Sequence, residues 1–194
     1  MSNKVTTVLL CGVGGQGTIL AADLLARAVL AAGLDVKVSE IHGMSQRGGS
    51  VTTVVRYGQD VQSMVADFGC ADVIVSFETT EALRNLPYLK EGGSLVVNNA
   101  SIESLPVLSG KARMPDKVEE SLAAVNALVV PASKLARDAG NAKTGNVVLL
   151  GALSARLDIP MEIWEETVAG RVPPKTVEAN LSALRLGRQF VTER

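Results

Sequence analysis

Cysteine and histidine are scarce in this chain of 194 residues, and each scarcity removes a class of chemistry. Two cysteines, Cys11 and Cys70, cannot supply the four thiolates that an iron–sulfur cluster usually takes, and the single histidine, His42, leaves a self-contained zinc site short of ligands. The expectation is that no metal is held by this chain and that any redox metal belongs to another. The charge is not of one sign either. With 19 Lys and Arg against 20 Asp and Glu there is no global field to gather nucleic acid. No run approaches the roughly 20 uninterrupted apolar residues of a membrane span. Met1-Ser2-Asn3-Lys4 leads directly into a short strand-like run without the features of a signal peptide. Together with two thiols in small or apolar surroundings, these readings place the protein in the cytoplasm.

What is present is apolar residue, 47% of the chain, enough for a substantial core. No composition break, internal repeat or low-complexity tract divides residues 1–194, so one domain is expected. Val5 to Leu10 reads as a strand that stops at Cys11-Gly12, and Gly17 to Ala32 carries apolar residues at helical spacing. Gly33 closes that helix, and Val36 to Ile41 reads as a second strand, so a βαβ unit is predicted to open the protein. Val51 to Tyr57 and Val61 to Val65 flank Gly58-Gln59-Asp60 and are predicted to form a hairpin. Asp72 to Phe77 is a buried parallel strand, Thr80 to Leu89 a helix, and Ser94 to Asn98 a strand after Gly92-Gly93. Ile102 to Glu120, broken by Pro106 and Pro115, reads as a loop or short hairpin. Val125 to Val130 gives a last strand and Ala132 to Ala139 a short helix. Three further helices follow, from Asn146, Ile159 and Pro174, the first apolar on nearly every side. The fold class is therefore α/β: a Rossmann-like, three-layer, doubly wound and mostly parallel sheet with a hairpin portion and extra C-terminal helices.

The strongest local motif is Gly12-Val13-Gly14-Gly15-Gln16-Gly17, a G-x-G-x-x-G turn between a predicted strand and a predicted helix. Glycines there let the backbone turn sharply and let an anion approach N–H groups at the positive end of a helix. A dinucleotide site is one reading, with Glu40, at the end of the second strand, as the ribose ligand that this motif places about 20 residues on. Packing of the turn without any dinucleotide is the other. Against the dinucleotide stands the segment His42-Gly43-Met44-Ser45-Gln46-Arg47-Gly48-Gly49-Ser50, which such enzymes do not require. Arg47 beside Gly48-Gly49 offers a guanidinium fork and open backbone donors for a phosphate or carboxylate, or it is a flexible turn with a solvated arginine. His42 lacks a Cys, Ser or Asp partner at a useful spacing and reads as a structural histidine before a proton-transfer group. Asn141 to Asn146 offers helix caps, with Lys143 free to meet an anionic ligand. Trp164, with Glu162, Glu165 and Glu166 around it, reads as a helix face with one packed aromatic.

Three segments taken in order, Gly12 to Gly17, Val38 to Val51 and Asn146 to Leu153, resemble the gamma-type family of 2-oxoacid:ferredoxin oxidoreductases. The form H-G-M-x-Q-R-G-G-S-V is most similar to the beta-subunit type of the indolepyruvate enzymes. The resemblance extends through Leu86 to Lys90 and Val172 to Val177 and covers essentially the whole chain. It implies a subunit of a complex that decarboxylates a 2-oxoacid on thiamine diphosphate with Mg2+, passes electrons through iron–sulfur clusters to ferredoxin, and transfers the acyl group to coenzyme A. It implies further that the thiamine and the clusters belong to a large alpha subunit, and that this chain supplies no covalent or acid–base step. By the same resemblance Gly12, Gly14, Gly15, Gln16 and Gly17, with Arg47, Gly48, Gly49 and Ser50, face the large subunit and the coenzyme A route. Two alternatives stand beside the indolepyruvate or aryl-pyruvate assignment. One is a gamma subunit acting on pyruvate, 2-oxoglutarate or 2-oxoisovalerate, and the other a stand-alone NAD-binding oxidoreductase. An isolated copy has a partner-facing surface through which a homodimer could form.

Overall fold

A computed structural model describes residues 5–42, 49–103 and 105–193. Six strands form one sheet: β1 (Thr6–Val13), β2 (Asp35–His42), β3 (Ser50–Gly58), β4 (Ala71–Ser76), β5 (Leu89–Asn98) and β6 (Leu128–Val130). Their spatial order is β2-β3-β1-β4-β5-β6. β1, β4, β5 and β6 run parallel, while β3 is antiparallel to both of its neighbours, β1 and β2. The expected α/β class and mostly parallel sheet are therefore found, with two corrections to connectivity.

The first concerns the opening unit. Helix α1 (Thr18–Ala31) does connect β1 to β2, but β2 does not lie beside β1. After the segment ending at Gly49, β3 turns back and inserts between them, pairing Leu10 with Thr53 on one side and Glu40 with Thr53 on the other. The hairpin is thus β2–β3. The second correction follows from it. Because both edges of β3 are occupied, Val61 to Val65 cannot pair with it and runs irregularly across the sheet. It is held by side chains in place of a ladder: Arg56 Nη1 donates to the carbonyls of Ser63 and Val65 at 2.9 and 2.7 Å, and the Val61 N–H donates to Asp35 at 2.9 Å.

Helices cover the two faces unequally. Val8, Leu10, Val55, Val73, Val75 and Val96 pack under α1, α6 (Gly145–Ser154), α7 (Met161–Arg171) and α8 (Val177–Thr192). Leu9, Cys11, Val54, Ile74, Leu95 and Val97 point the other way, toward α2 (Thr79–Asn85) and α4 (Val118–Ala124). Short helices α3 (Leu105–Leu108) and α5 (Ala132–Asp138) complete the order. The region expected as loop or hairpin, 102–120, contains the short α3, and α4 begins at its end and runs past it, burying Leu122 on the thinner face. α6 is buried along its whole length except its first residues, as its uniformly apolar sequence requires. Its contact with α8 is made by glycine: a Cβ on Gly151 would overlap the Leu184 carbonyl, and one on Gly187 the Val148 carbonyl. Trp164 is fully buried on α7, and Glu165 of the same helix is paired to Arg185 of α8 at 2.7 Å. Among the described residues no helix is long and apolar enough to cross a membrane.

Candidate functional site

α1 leaves β1 for one face and α2 leaves β4 for the other, so the chain diverges between the carboxyl ends of β1 and β4. In open α/β sheets that crevice is where ligands bind. The sequence places the glycine turn there. Gly12 is required by space, since a Cβ would lie 2.6 Å from Gln16 Oε1 and 2.8 Å from Phe77 Cβ. Gly17, at φ 82, starts α1 in a left-handed conformation, against Asn146. Gly15, at φ 98, has nothing within 4 Å of an added Cβ and forms the open lip of the turn.

Much of the turn's hydrogen bonding is satisfied internally. Gln16 reaches back, its Oε1 accepting from the Val13 N–H at 2.8 Å and its Nε2 donating to the Phe77 carbonyl at 3.0 Å. Asn98 Nδ2 donates to the same carbonyl at 3.1 Å, tying β1, β4 and β5 together at one atom. The Gly14 N–H donates to the Gly49 carbonyl at 2.9 Å. α1 itself begins with no side-chain cap. The open lip at Gly15 and the uncapped first turn of α1 are thus what the turn offers an anion.

The structure brings the three resembling segments together although they are distant in sequence. Gly14 touches Gly49 as described, and Asn146 Nδ2 donates to the Gly17 carbonyl at 3.4 Å. Ser50 stands at the start of β3 opposite Val13, and its hydroxyl donates to Glu81 Oε2 at 2.6 Å. Arg47 and Gly48, with residues 43–46, lie outside the described residues, as does the side chain of His42. Lys143 sits in a short 3-10 turn, Ala142–Thr144, capped by Asn141, whose Oδ1 accepts from the Lys143 N–H at 3.0 Å. The capping expectation holds for Asn141. Thr144 precedes α6 without a capping side-chain bond.

Glu40 does not join this site. It lies on β2, and the whole of β3 separates it from β1. A dinucleotide held on the glycine turn needs its ribose acid on the strand next to β1, whereas Glu40 is displaced by two inter-strand spacings, about 10 Å. That geometry removes Glu40 as the ribose ligand of a dinucleotide on the turn.

Two residues unforeseen from sequence underlie the crevice. Glu78, 1% exposed, caps α2 by accepting from the backbone N–H groups of Thr80, at 3.0 Å, and Glu81. Glu81, 4% exposed, receives Ser50 and is paired to Arg84 at 3.0 Å. The only sequence trace was the pair Glu78 and Glu81 just after an apolar strand, which lacks a preferred N-cap residue and gains meaning only once β3 folds over it. Cys11 Sγ donates to the Glu81 carbonyl at 3.6 Å, and its thiol pKa is pushed up to about 12, first by burial and also by the nearby Glu81 and Glu78 carboxylates. The thiol is no nucleophile. Among the described residues no group of three His, Cys, Asp or Glu side chains could hold a metal ion. A cavity of about 800 Å³ opens at the opposite end of the sheet, lined by Asp72, Lys90 and Arg156, and shares no residue with the glycine turn.

Comparison with known proteins finds relatives over nearly the whole chain. Residues 7–190 match the family model described as pyruvate ferredoxin/flavodoxin oxidoreductase. The chain is 44% identical to indolepyruvate oxidoreductase subunit IorB of Thermococcus kodakarensis, covering 98% of each chain. Among solved structures it is similar to pyruvate oxidoreductase subunit PORC of Thermotoga maritima, with TM-score 0.71, 26% identity and 96% of each chain covered. It shares its fold with part of the 2-oxoglutarate:ferredoxin oxidoreductase of Magnetococcus marinus, solved with 2-oxoglutarate, coenzyme A and succinyl-CoA. There the TM-score is 0.74 and the identity 23%, covering 98% of this chain and 32% of that one.

Proposed function

The chain belongs to the pyruvate ferredoxin/flavodoxin oxidoreductase family, and from that premise we propose that it is the small subunit of an indolepyruvate or aryl-pyruvate:ferredoxin oxidoreductase. The observation that supports this most directly is the nearly full-length, 44% identical match to an IorB subunit, combined with the convergence of the three family-like segments at one crevice through the Gly14–Gly49 and Gly17–Asn146 contacts. The whole of 1–194 acts as one domain in this reading.

The two cysteines of this chain do not fit a cluster, Cys11 being buried and hydrogen bonded and Cys70 lying at the other end of β4, and among the described residues no group of three His, Cys, Asp or Glu side chains could hold a metal ion. In this reading thiamine diphosphate with Mg2+ and the iron–sulfur clusters reside in the larger subunit, which would supply decarboxylation of the 2-oxoacid and electron transfer to ferredoxin. This chain's own residues bind and orient. The lip at Gly15, the first turn of α1 and Arg47 receive an anionic portion of coenzyme A, while Gln16 and Ser50 hold the turn and the start of β3 in place.

Reconstitution with the larger subunit tests the assignment. Coenzyme A-dependent reduction of ferredoxin is expected with indolepyruvate and phenylpyruvate in preference to pyruvate and 2-oxoglutarate. Equal or greater turnover on pyruvate or 2-oxoglutarate would transfer the chain to a sister enzyme. Arg47→Ala is expected to raise the KM for coenzyme A several-fold with the melting temperature unchanged, and unaltered kinetics would remove Arg47 from the site.

A further inference from the structure

Glu81 is held at every polar atom it has. Its N–H donates to the Glu78 carboxylate, and its carbonyl accepts from Asn85 Nδ2 at 2.9 Å and from Cys11 Sγ at 3.6 Å. Its carboxylate is divided, Oε1 taking Arg84 Nε at 3.0 Å and Oε2 the Ser50 hydroxyl at 2.6 Å. Glu78, Arg84 and Asn85 belong to α2 and its cap, and Cys11 to β1. Ser50 is the partner that carries the network across to the returning strand β3. A carboxylate in so buried a place costs several kcal/mol in lost hydration unless it is paired and hydrogen bonded, and here both oxygens are engaged. The result is a fixed post at the mouth of the crevice.

The strand tied to that post leads directly to the glycine turn. Gly49, the residue before Ser50, accepts from the Gly14 N–H at 2.9 Å, and Gly14 precedes Gly15, the open lip. The turn is therefore braced from two sides, by Gln16 on the Phe77 carbonyl after β4 and by Gly14 on Gly49 before β3. The second brace stands only as firmly as the start of β3, which Glu81 holds.

We propose that Glu81 is a positioning residue for the anionic ligand of the glycine turn: acting through Ser50 and Gly49, it sets where Gly14 and Gly15 stand, and so how tightly a coenzyme A phosphate is received. The inference rests on the coenzyme A reading above and adds the residue that aligns that site. Glu81 touches no ligand itself, since both carboxylate oxygens are taken and a bare carboxylate facing the anion would repel it. Its effect is geometric. N–H groups at the turn and at the first turn of α1 serve an anion only when they converge on it, and a small slip of the backbone spoils that convergence.

Steady-state kinetics of the co-expressed two-subunit complex, with coenzyme A varied, test this. Glu81→Ala and Ser50→Ala are each expected to raise the KM for coenzyme A about fivefold or more, with kcat changed less than about twofold. Ser50→Ala carries the same test where Glu81→Ala does not assemble. Combined, the two should raise KM no further than Glu81→Ala alone, because both break one bond. Glu81→Gln, which keeps an acceptor for Ser50, should return KM to within about twofold of the native value. A merely structural loss lowers the amount of active complex, and so the apparent kcat, and leaves KM where it was. Gly15→Asp reports on the site independently, placing a carboxylate on the lip, where nothing lies within 4 Å of an added Cβ, and should also raise KM. KM raised by Gly15→Asp and unmoved by Glu81→Ala and Ser50→Ala would overturn the positioning role and leave the site standing. KM unmoved by all three would overturn both. A rise with Glu81→Ala that Glu81→Gln fails to rescue, that grows further on adding Ser50→Ala, or that Gly15→Asp does not share would place the effect elsewhere and overturn the role.

Discussion

The Ser50 hydroxyl donates to Glu81 Oε2 at 2.6 Å, joining the first residue of β3 to a buried carboxylate of α2 31 positions later in the chain. The bond anchors the returning end of the 43–49 segment at the mouth of the crevice, one residue after the Gly49 carbonyl takes the Gly14 N–H. Ser50→Ala leaves Glu81 buried with only Arg84 as a side-chain partner. A loss of about 1–3 kcal/mol is expected, as for a deprived buried acceptor. Chemical denaturation should show it as a lower midpoint at unchanged slope. Glu81→Gln, which keeps an acceptor for Ser50, should cost less, and an equal or greater loss would count against the anchor.

Two glycines in helices predict opposite responses to alanine. Gly151→Ala forces α6 off the Leu184 carbonyl of α8, and a loss of about 3 kcal/mol or more is expected, from overpacking against rigid backbone. Gly170→Ala at an exposed position of α7, with nothing within 4 Å of the new Cβ, should gain about 0.5–1 kcal/mol from helix propensity. Urea midpoints of the two variants moving in the same direction would refute the packing account.

The thiols differ in reactivity by position. Burial raises both pKa values, that of Cys70 in part and that of Cys11 to about 12, and only Cys70 is partly accessible. A colorimetric thiol reagent at pH 8 should titrate one thiol in the native protein and two after unfolding, with Cys70→Ser abolishing the native reaction. The sign for stability follows from the raised folded-state value. The Cys11 contribution is complete below its ordinary pKa near 9 and is lost as the pH climbs toward 12. Cys11→Ala should flatten that alkaline loss.

Glu40 provides a test by absence of effect. With β3 between it and the glycine turn, calorimetric titration of the chain with NADH should give no binding heat, and Glu40→Ala should change nothing. Saturable binding that Glu40→Ala weakens would restore the dinucleotide reading.

How much was legible in the sequence depended on whether the information was local. Val5 to Leu10 followed by glycines and an Ala/Leu helix determines β1, turn and α1 almost unaided, and the all-round apolar run after Asn146 could only be a buried helix. The apolar pattern of Val51 to Tyr57 announces a strand but says nothing of its neighbours. Its insertion between β1 and β2 is a non-local choice, and it also denied Val61 to Val65 a partner despite good strand composition. The glycine turn and the Arg47 segment were recognisable as motifs, and the resemblance led to the family that residues 7–190 match. Glu78 and Glu81 were not, because their burial arises only when β3 and α2 close over each other.

The insertion of β3 also affects how the protein is made. β1 leaves the ribosome before the other five strands and is nearly all buried in the finished sheet, yet the strand that covers its flank does not begin until Ser50. At the usual pace of synthesis the intervening stretch takes about two to seven seconds. During that interval α1 alone can shield the newborn strand, and the side of Leu9 and Cys11 that α1 does not reach is where a chaperone would find the nascent chain.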